Sequence, residues 1–234
     1  MKAIFKKELK SYFTSPVGYV YMAVYFIFAS LIFSSLLLYG VSDMQTVFAA
    51  LTLSFFIIPV ITMKTIAEEK KAKTDQLLLT APISVSDIVI GKILAAFTMY
   101  AIPTLATIVF AIIFEIFGEI AWNTVLSSYI GLLLIGLIYV SAGVFISSIT
   151  ENQIIAAVVS FAFVLFASAY DSFIVPAFEN EIVFSILNWF SINLRFNDFY
   201  YGIISFETVV YYVSLIVLFS VLTISGIEKR RFQK

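Results

Sequence analysis

Six stretches of this chain carry no charged side chain, and each is about long enough to cross a bilayer once. The uncharged runs hold 32 residues between Lys10 and Asp43, 20 between Asp43 and Lys64, and 22 between Lys92 and Glu115. They hold 31 between Glu119 and Glu151, 19 between Glu151 and Asp171, and 20 between Glu207 and Glu228. A helix needs about 20 mostly apolar residues to span hydrocarbon, so each run admits one crossing and none admits two with a turn. The expected spans are roughly 17–40, 46–63, 93–114, 125–149, 153–174 and 208–227. Composition leads the same way. Hydrophobic residues make up 62% of the 234 and charged ones 12%, about half the charged share of a soluble domain. One water-soluble core of this size cannot bury so much apolar surface. A seventh uncharged run, between Glu181 and Arg195, holds 13 residues. That is too short to cross, and its mixture of Ile, Phe and Trp with Ser and Asn suits an interfacial or re-entrant helix. The basic opening MKAIFKKELKSYF resembles the start of a signal peptide, but no small-residue cleavage site follows, so an uncleaved first helix is expected.

The positions of the basic residues orient the spans. Lys2, Lys6, Lys7 and Lys10 precede the first. Lys64, Lys70, Lys71, Lys73 and Lys92 lie between the second and third, and Lys229, Arg230, Arg231 and Lys234 follow the sixth. Even numbers of crossings put these segments on one side, and Arg195 alone on the other. Cytoplasmic loops collect Lys and Arg, so both termini are expected in the cytoplasm. The opposite side holds Asp43, Glu115, Glu119, Asp171, Glu179, Glu181, Asp198 and Glu207.

Several chemistries are excluded. The chain has no Cys and no His, which removes disulfides, Cys/His metal sites and His-dependent nucleophiles. A net charge of −1 gives no electrostatic support for nucleic-acid binding. No G-x-x-x-x-G-K-[ST] is present, and Gly91-Lys92 lacks both the upstream Gly and the following hydroxyl, so the chain has no phosphate-cradling loop. Proton relays and ion pathways need ionisable residues within the spans. None is expected well inside one here, which counts against a proton-driven carrier and a cation channel.

Function should then concentrate in the two long connections. The inner one, residues 64–92, reads KTIAEEKKAKTDQLLLTAPISVSDIVIGK. Its first half is charged and helix-favouring, and Glu68 and Glu69 can pair with Lys70, Lys71 or Lys73 or with the basic N-terminal segment. Leu77-Leu78-Leu79 form an apolar knob, and exposed apolar clusters mark contact surfaces. Pro82 limits the helix. Ser84 or Ser86 can cap a new one, with Asp87 at its positive end. The alternative is a solvated loop that only joins two spans.

The run from Glu68-Glu69-Lys70-Lys71 through Thr74-Asp75-Gln76-Leu77-Leu78-Leu79 to Pro82, followed by Ser86-Asp87-Ile88-Val89-Ile90-Gly91-Lys92, resembles the signature of type-2 ABC exporter permeases. The opening Phe5-Lys6-Lys7-Glu8-Leu9-Lys10-Ser11-Tyr12-Phe13 is similar to that family's elbow helix. The likeness is strongest to the branch of gliding-motility and copper-site-maturation permeases. Lys73 stands where the family has Gly, and Gln76 where it has Glu. The resemblance implies an all-α integral membrane protein of a bacterial inner (plasma) membrane, a single transmembrane domain over residues 1–234. Within it lie an amphipathic elbow helix (1–15), a cytoplasmic coupling helix in segment 64–92, and short re-entrant outer helices in segment 171–207, between spans five and six. It implies a permease subunit without a cofactor of its own, ATP and Mg being bound by separate cytoplasmic ABC ATPase subunits. A second permease copy or paralogue completes the complex. The residues it assigns to coupling are Glu68, Glu69, Thr74, Gln76, Leu77, Leu78 and Pro82, and to the elbow Phe5, Lys6, Glu8 and Tyr12.

Physical reading of the remaining segments is compatible with this layout. Ile4, Phe5, Leu9, Tyr12 and Phe13 approximate one helical stripe with Lys6, Lys7 and Lys10 away from its centre, the pattern of an interfacial helix drawn to anionic lipid; a plain basic anchor is the simpler alternative. Pro16 and Gly18 supply the bend into the first span. In the outer segment Pro176, Asn180 and Asn188 punctuate the chain, Trp189, Phe190, Tyr200 and Tyr201 suit an aromatic belt, and Arg195 and Asp198 stand at i, i+3 for a local ion pair. That pair is favoured over a substrate contact for Arg195. Small residues crowd the fourth span (Gly131, Gly136, Ser141, Ala142, Gly143, Ser147), where close packing is favoured over a lined path. The competing functions are an intramembrane enzyme, for which no acid dyad is evident, a secondary carrier, and a membrane scaffold without transport.

Overall fold

Proline and hydroxyl side chains decide where the apolar runs become helices and where those helices bend. The computed structural model describes residues 1–40, 43–76, 83–117, 119–177 and 180–232. Among these, every regular element is helical. Helix α1 (Lys2–Thr14) ends at Ser15, whose hydroxyl accepts from the Val17 N–H and opens α2 (Pro16–Leu38) with proline at its first position. Asp43 caps α3 (Met44–Leu51) by accepting from the N–H groups of Gln45 and Thr46. The chain then tightens into a 3-10 turn at Thr52–Ile57 before α4 (Ile58–Thr62). Pro59 explains the change of pitch. It has no N–H to give the Phe55 carbonyl, which takes the Ile58 N–H instead. After a turn, α5 (Ala67–Lys71) completes the second membrane-length run.

Of the two expected caps, Ser84 and Ser86, it is Ser84 that caps α6 (Val85–Ala106), with its hydroxyl accepting from the Asp87 N–H. Pro103 lies inside this helix, which breaks at Thr107 and resumes as α7 (Ile108–Phe117). Next come α8 (Trp122–Ile149) and α9 (Gln153–Ala169), the latter running into a wide π-type turn at Tyr170–Ile174 and a 3-10 turn at Val175–Ala177. Asn180 caps the short α10 (Glu181–Phe190), α11 covers Phe196–Tyr200, and α12 (Phe206–Phe232) closes the chain. Six helical runs are long and apolar enough to cross a membrane, each containing most or all of one expected span. The third begins at Val85 rather than near residue 93, which moves Lys92 from the connecting loop into the helix.

Helix α8 is the centre of the bundle. It packs against α4, α6, α9, α11 and α12, and most of its small residues are buried. Three glycines let its neighbours approach. A Cβ on Gly136 would lie 2.1 Å from the Tyr100 ring, one on Gly143 2.4 Å from the Thr62 hydroxyl, and one on Gly131 2.8 Å from Phe199. The small-residue stripe is therefore a packing surface. By contrast α2, α9 and α12 expose apolar side chains such as Leu31, Ile154 and Val217, as helices facing hydrocarbon do.

Candidate functional site at the basic end of the bundle

One end of the bundle gathers the N-terminus, residues 61–76, the start of α6, the α8–α9 turn and the end of α12. Its centre is Lys92, 1% exposed. The Lys92 ammonium lies 3.0 Å from Glu8 Oε1 and 2.9 Å from Glu69 Oε2, and donates to the Thr65 carbonyl at 2.6 Å. All three of its protons are used. Lys7 reaches the same carboxylates, at 3.1 Å from Glu69 and 3.7 Å from Glu8. Two lysines and two glutamates thus join α1, α5 and α6 in one network. A buried ammonium persists only when so paired.

Lys7 sits at the exposed rim. Partial burial by itself lowers its pKa, but the neighbouring Glu69 and Glu8 carboxylates outweigh that and leave it above the ordinary lysine value. A raised folded-state pKa stabilises at and below the ordinary value, and the contribution disappears as pH climbs through the raised one. Lys7 therefore stays charged throughout the physiological range. Tyr12 donates to the Ile61 carbonyl at 2.7 Å, and burial pushes its phenol far above the usual range, followed by the nearby Glu8 and Glu68 charges. It remains a neutral donor that ties α1 to the end of the second span. Gly18 permits this approach, since a Cβ there would lie 2.3 Å from the Tyr12 carbonyl oxygen.

The other flank of α5 is held by α8. Ser147 accepts from the N–H groups of Ile66 and Ala67 at 3.2 and 3.0 Å and donates to the Met63 carbonyl at 3.2 Å, so a side chain from a span satisfies the donors that open α5. Lys70 donates to the Ser148 carbonyl. Arg230 bridges Glu151 at 2.7 Å and Asp75 at 3.7 Å, and the N-terminal ammonium pairs with Asp87 at 3.5 Å.

The expected coupling residues divide by side. Glu69 turns inward to the clamp. Glu68 is exposed and lines a cleft of about 420 Å³ between α1 and α5, together with Lys7, Ser11, Lys64 and Thr74. Thr74 closes the turn after α5, donating through its N–H to the Glu69 carbonyl at 3.0 Å. Lys73, where the resembled family has glycine, adopts φ 56°. That left-handed conformation follows a helix end and costs a side-chain-bearing residue about 1 kcal/mol or more, which explains the glycine. Gln76 is exposed. Leu77, Leu78 and Pro82 lie outside the described residues. In α1, Tyr12 is buried, Phe5 and Glu8 are half-buried and Lys6 is exposed. The residue that sequence reasoning missed is Lys92. Its signal was present: a lysine two turns past the cap at Ser84, with two adjacent glutamates on the preceding segment.

The opposite end is stitched by tyrosines. Tyr170, Tyr211 and Tyr212 donate to the carbonyls of Leu187, Phe190 and Ile192 at 2.8–2.9 Å, and Tyr139 donates to Asn193 Oδ1 at 3.1 Å. The expected Arg195–Asp198 pair does not form. Arg195 precedes the first turn of α11, and its guanidinium turns back to the Trp189 carbonyl, stacks 4.4 Å from the Tyr211 ring centroid and pairs with Glu207 at 3.4 Å. Asp198 instead accepts from the Thr208 hydroxyl at 2.9 Å. Asp171, expected where the fifth span meets the outer segment, is 5% exposed there.

A bundle of six membrane-length helices, with a polar network tying the inter-span segment to its base, has the architecture of a membrane-embedded protein. The chain belongs to the ABC-2 family of transporter proteins, whose family pattern matches residues 5–228. It is the membrane component of an ABC transporter, and permeases of this family work with ABC ATPase subunits. Among curated proteins none matches the chain significantly.

Proposed function

We propose that this permease exports its substrate, with residues 64–92 as the lever through which a cytoplasmic ATPase subunit drives the spans. The observation that supports this is the Lys92–Glu69–Glu8 clamp, which fixes α5 to α1 and α6 at 2.9–3.0 Å. A force applied to the segment following α5 is carried through the clamp into the third span. Ser147 and Lys70 carry it into the central helix α8. ATP acts only through the difference in how the partner holds this segment in its two states.

In this reading the basic end faces the cytoplasm. α1 is an interfacial elbow, with Lys2, Lys6 and Lys10 exposed toward anionic lipid. Residues 171–207 form the outer re-entrant segment, with α10 presenting Ile182, Ile186 and Trp189 outward. Two such permeases pair around two ATPases in a bacterial inner membrane, as the resemblance to the gliding-motility and copper-site-maturation permeases suggests. The test replaces Leu78 with Asp or Pro82 with Gly and measures export and ATP turnover in the reconstituted complex. Export should fall about tenfold or more, since Leu78→Asp puts a charge into an apolar contact at a cost of several kcal/mol and Pro82→Gly frees the backbone that proline fixes, while the permease still inserts and melts normally. Wild-type export in both variants contradicts the proposal.

A further inference from the structure

Asp171 sits in the wide turn at Tyr170–Ile174, where a π-type turn interrupts the end of the fifth span. Such insertions recur at functional sites. Its Oδ2 accepts from the Asn193 N–H at 3.0 Å, and Asn193 is held in turn by the Tyr139 hydroxyl. Its Oδ1 is buried and has no hydrogen-bond partner. Among the described residues no cation pairs with Asp171. Arg195, the one basic residue of this end, is taken by Glu207, the Trp189 carbonyl and the Tyr211 ring. Among the described residues the other acids here are either satisfied, as Asp43 and Asp198 are by N–H or O–H donors and Glu207 is by Arg195, or exposed, as Glu115, Glu119 and Glu181 are. A buried carboxylate oxygen without a donor needs a reason.

The reason is beside it. Asp171 lines a cavity of about 280 Å³ whose other walls include Phe163, Phe166, Tyr170, Phe190 and Ile192. The size is near the lower end for small-molecule pockets. Phe166 and Phe190 are exposed, so the aromatic side of the cavity opens laterally, between α9 and α10. A buried carboxylate and a set of aromatic side chains on one cavity wall match a cation on an apolar tail. The rings attract the cation through their quadrupoles, and Oδ1, buried without a donor, gains one when the carboxylate turns toward the cavity, an N–H that a primary ammonium supplies and a quaternary one lacks.

We propose that this cavity binds an amphiphile bearing a protonated primary amine, with the ammonium on Asp171 and the first part of the chain among Phe163, Phe166 and Phe190. The inference adds a substrate or modulator class to the exporter reading but not to its coupling mechanism. Two sources share this chemistry: a free alkylamine-type amphiphile and the ethanolamine headgroup of a membrane lipid.

The test uses the full chain in phosphatidylcholine nanodiscs, without nucleotide or ATPase, so loss of coupling in a lever variant leaves this result untouched. Binding of dodecylamine and of dodecanol is followed by calorimetry. The amine should bind about tenfold tighter than the alcohol, the worth of one desolvated charge-assisted hydrogen bond. Asp171→Asn keeps an oxygen for the Asn193 N–H and should erase that preference while leaving alcohol binding and the melting temperature unchanged. Phe166→Ala, at an exposed ring that meets the chain, should weaken both ligands, and the amine by about threefold more than the alcohol. Adding phosphatidylethanolamine to the nanodiscs separates the sources. If it competes with dodecylamine, the lipid headgroup is the occupant; if it does not, a free amphiphile is, and both results support the site. Equal affinity for amine and alcohol in the wild type, or an amine preference that survives Asp171→Asn, overturns the proposal.

Discussion

Replacing Lys92 with Met lowers the stability of the isolated permease by roughly 3–5 kcal/mol, the cost of leaving a buried ionic partner uncompensated. The methionine fills most of the lysine volume, so packing loss is small. What remains are the Glu8 and Glu69 carboxylates, both drawn toward a site that no longer holds a cation, with only the exposed Lys7 between them and water. The Thr65 carbonyl loses its donor as well. Thermal unfolding in detergent should shift down clearly. Adding Glu69→Gln should recover about 1 kcal/mol or more, because the two sites are in direct contact and their effects do not add. Arg at position 92 is not a conservative rescue. Its planar fork does not direct three protons to two carboxylates and a carbonyl as the ammonium does. A Lys92→Met protein that melts with the wild type excludes the clamp as a structural element.

The second large effect is expected at Gly136. A Cβ added there would lie 2.1 Å from the Tyr100 ring, far inside contact distance. The ring cannot easily retreat, because Tyr100 is fully buried and its hydroxyl donates to the Leu132 carbonyl at 3.1 Å, one turn away on the same helix as Gly136. Gly136→Ala must therefore separate α6 from α8 or expel the ring. Overpacking of this kind costs about 1–3 kcal/mol, and Gly136→Val should exceed Gly136→Ala. The control is Gly226, where nothing lies within 4 Å of an added Cβ. Gly226→Ala should be neutral or slightly stabilising, since alanine is the better helix former. Equal melting temperatures for the alanine variants at 136 and 226 count against close packing of α6 on α8.

The spans were legible because the cost of burying charge in hydrocarbon leaves windows that can be measured with a ruler, and each window coincides with a membrane-length helix. The packing role of the fourth span was legible for a related reason. Gly131, Gly136 and Gly143 on one helix have little use except to admit a neighbour. The cap before α6 was readable as Ser84 or Ser86, and the structure uses Ser84. What escaped was how the charges pair. Treating a lysine as the edge of a span placed Lys92 in a loop, whereas the helix begins at Val85 and the protein supplies two carboxylates from elsewhere in the chain to hold it. The pairing of Arg195 with Asp198 assumed one helix through both residues. The helix starts only at Phe196, so the Arg195 side chain leaves in another direction. Asp171 was placed where the fifth span, 153–174, meets the outer segment, and only the wide turn that follows α9 carries it into the interior. In each case the missing information was tertiary: the partners lie 6 to 84 residues away, and no local period announces them.

The central claim is that residues 64–92 form a cytoplasmic lever worked by a separate ATPase. The chain contains no cysteine, so a single Thr74→Cys change gives a unique reporter on an exposed turn of that segment. In intact cells the thiol should resist a membrane-impermeant maleimide, react once the membrane is opened, and become protected when the ATPase subunit is bound. Full labelling from outside intact cells, or labelling inside that the ATPase leaves unchanged, would contradict the account.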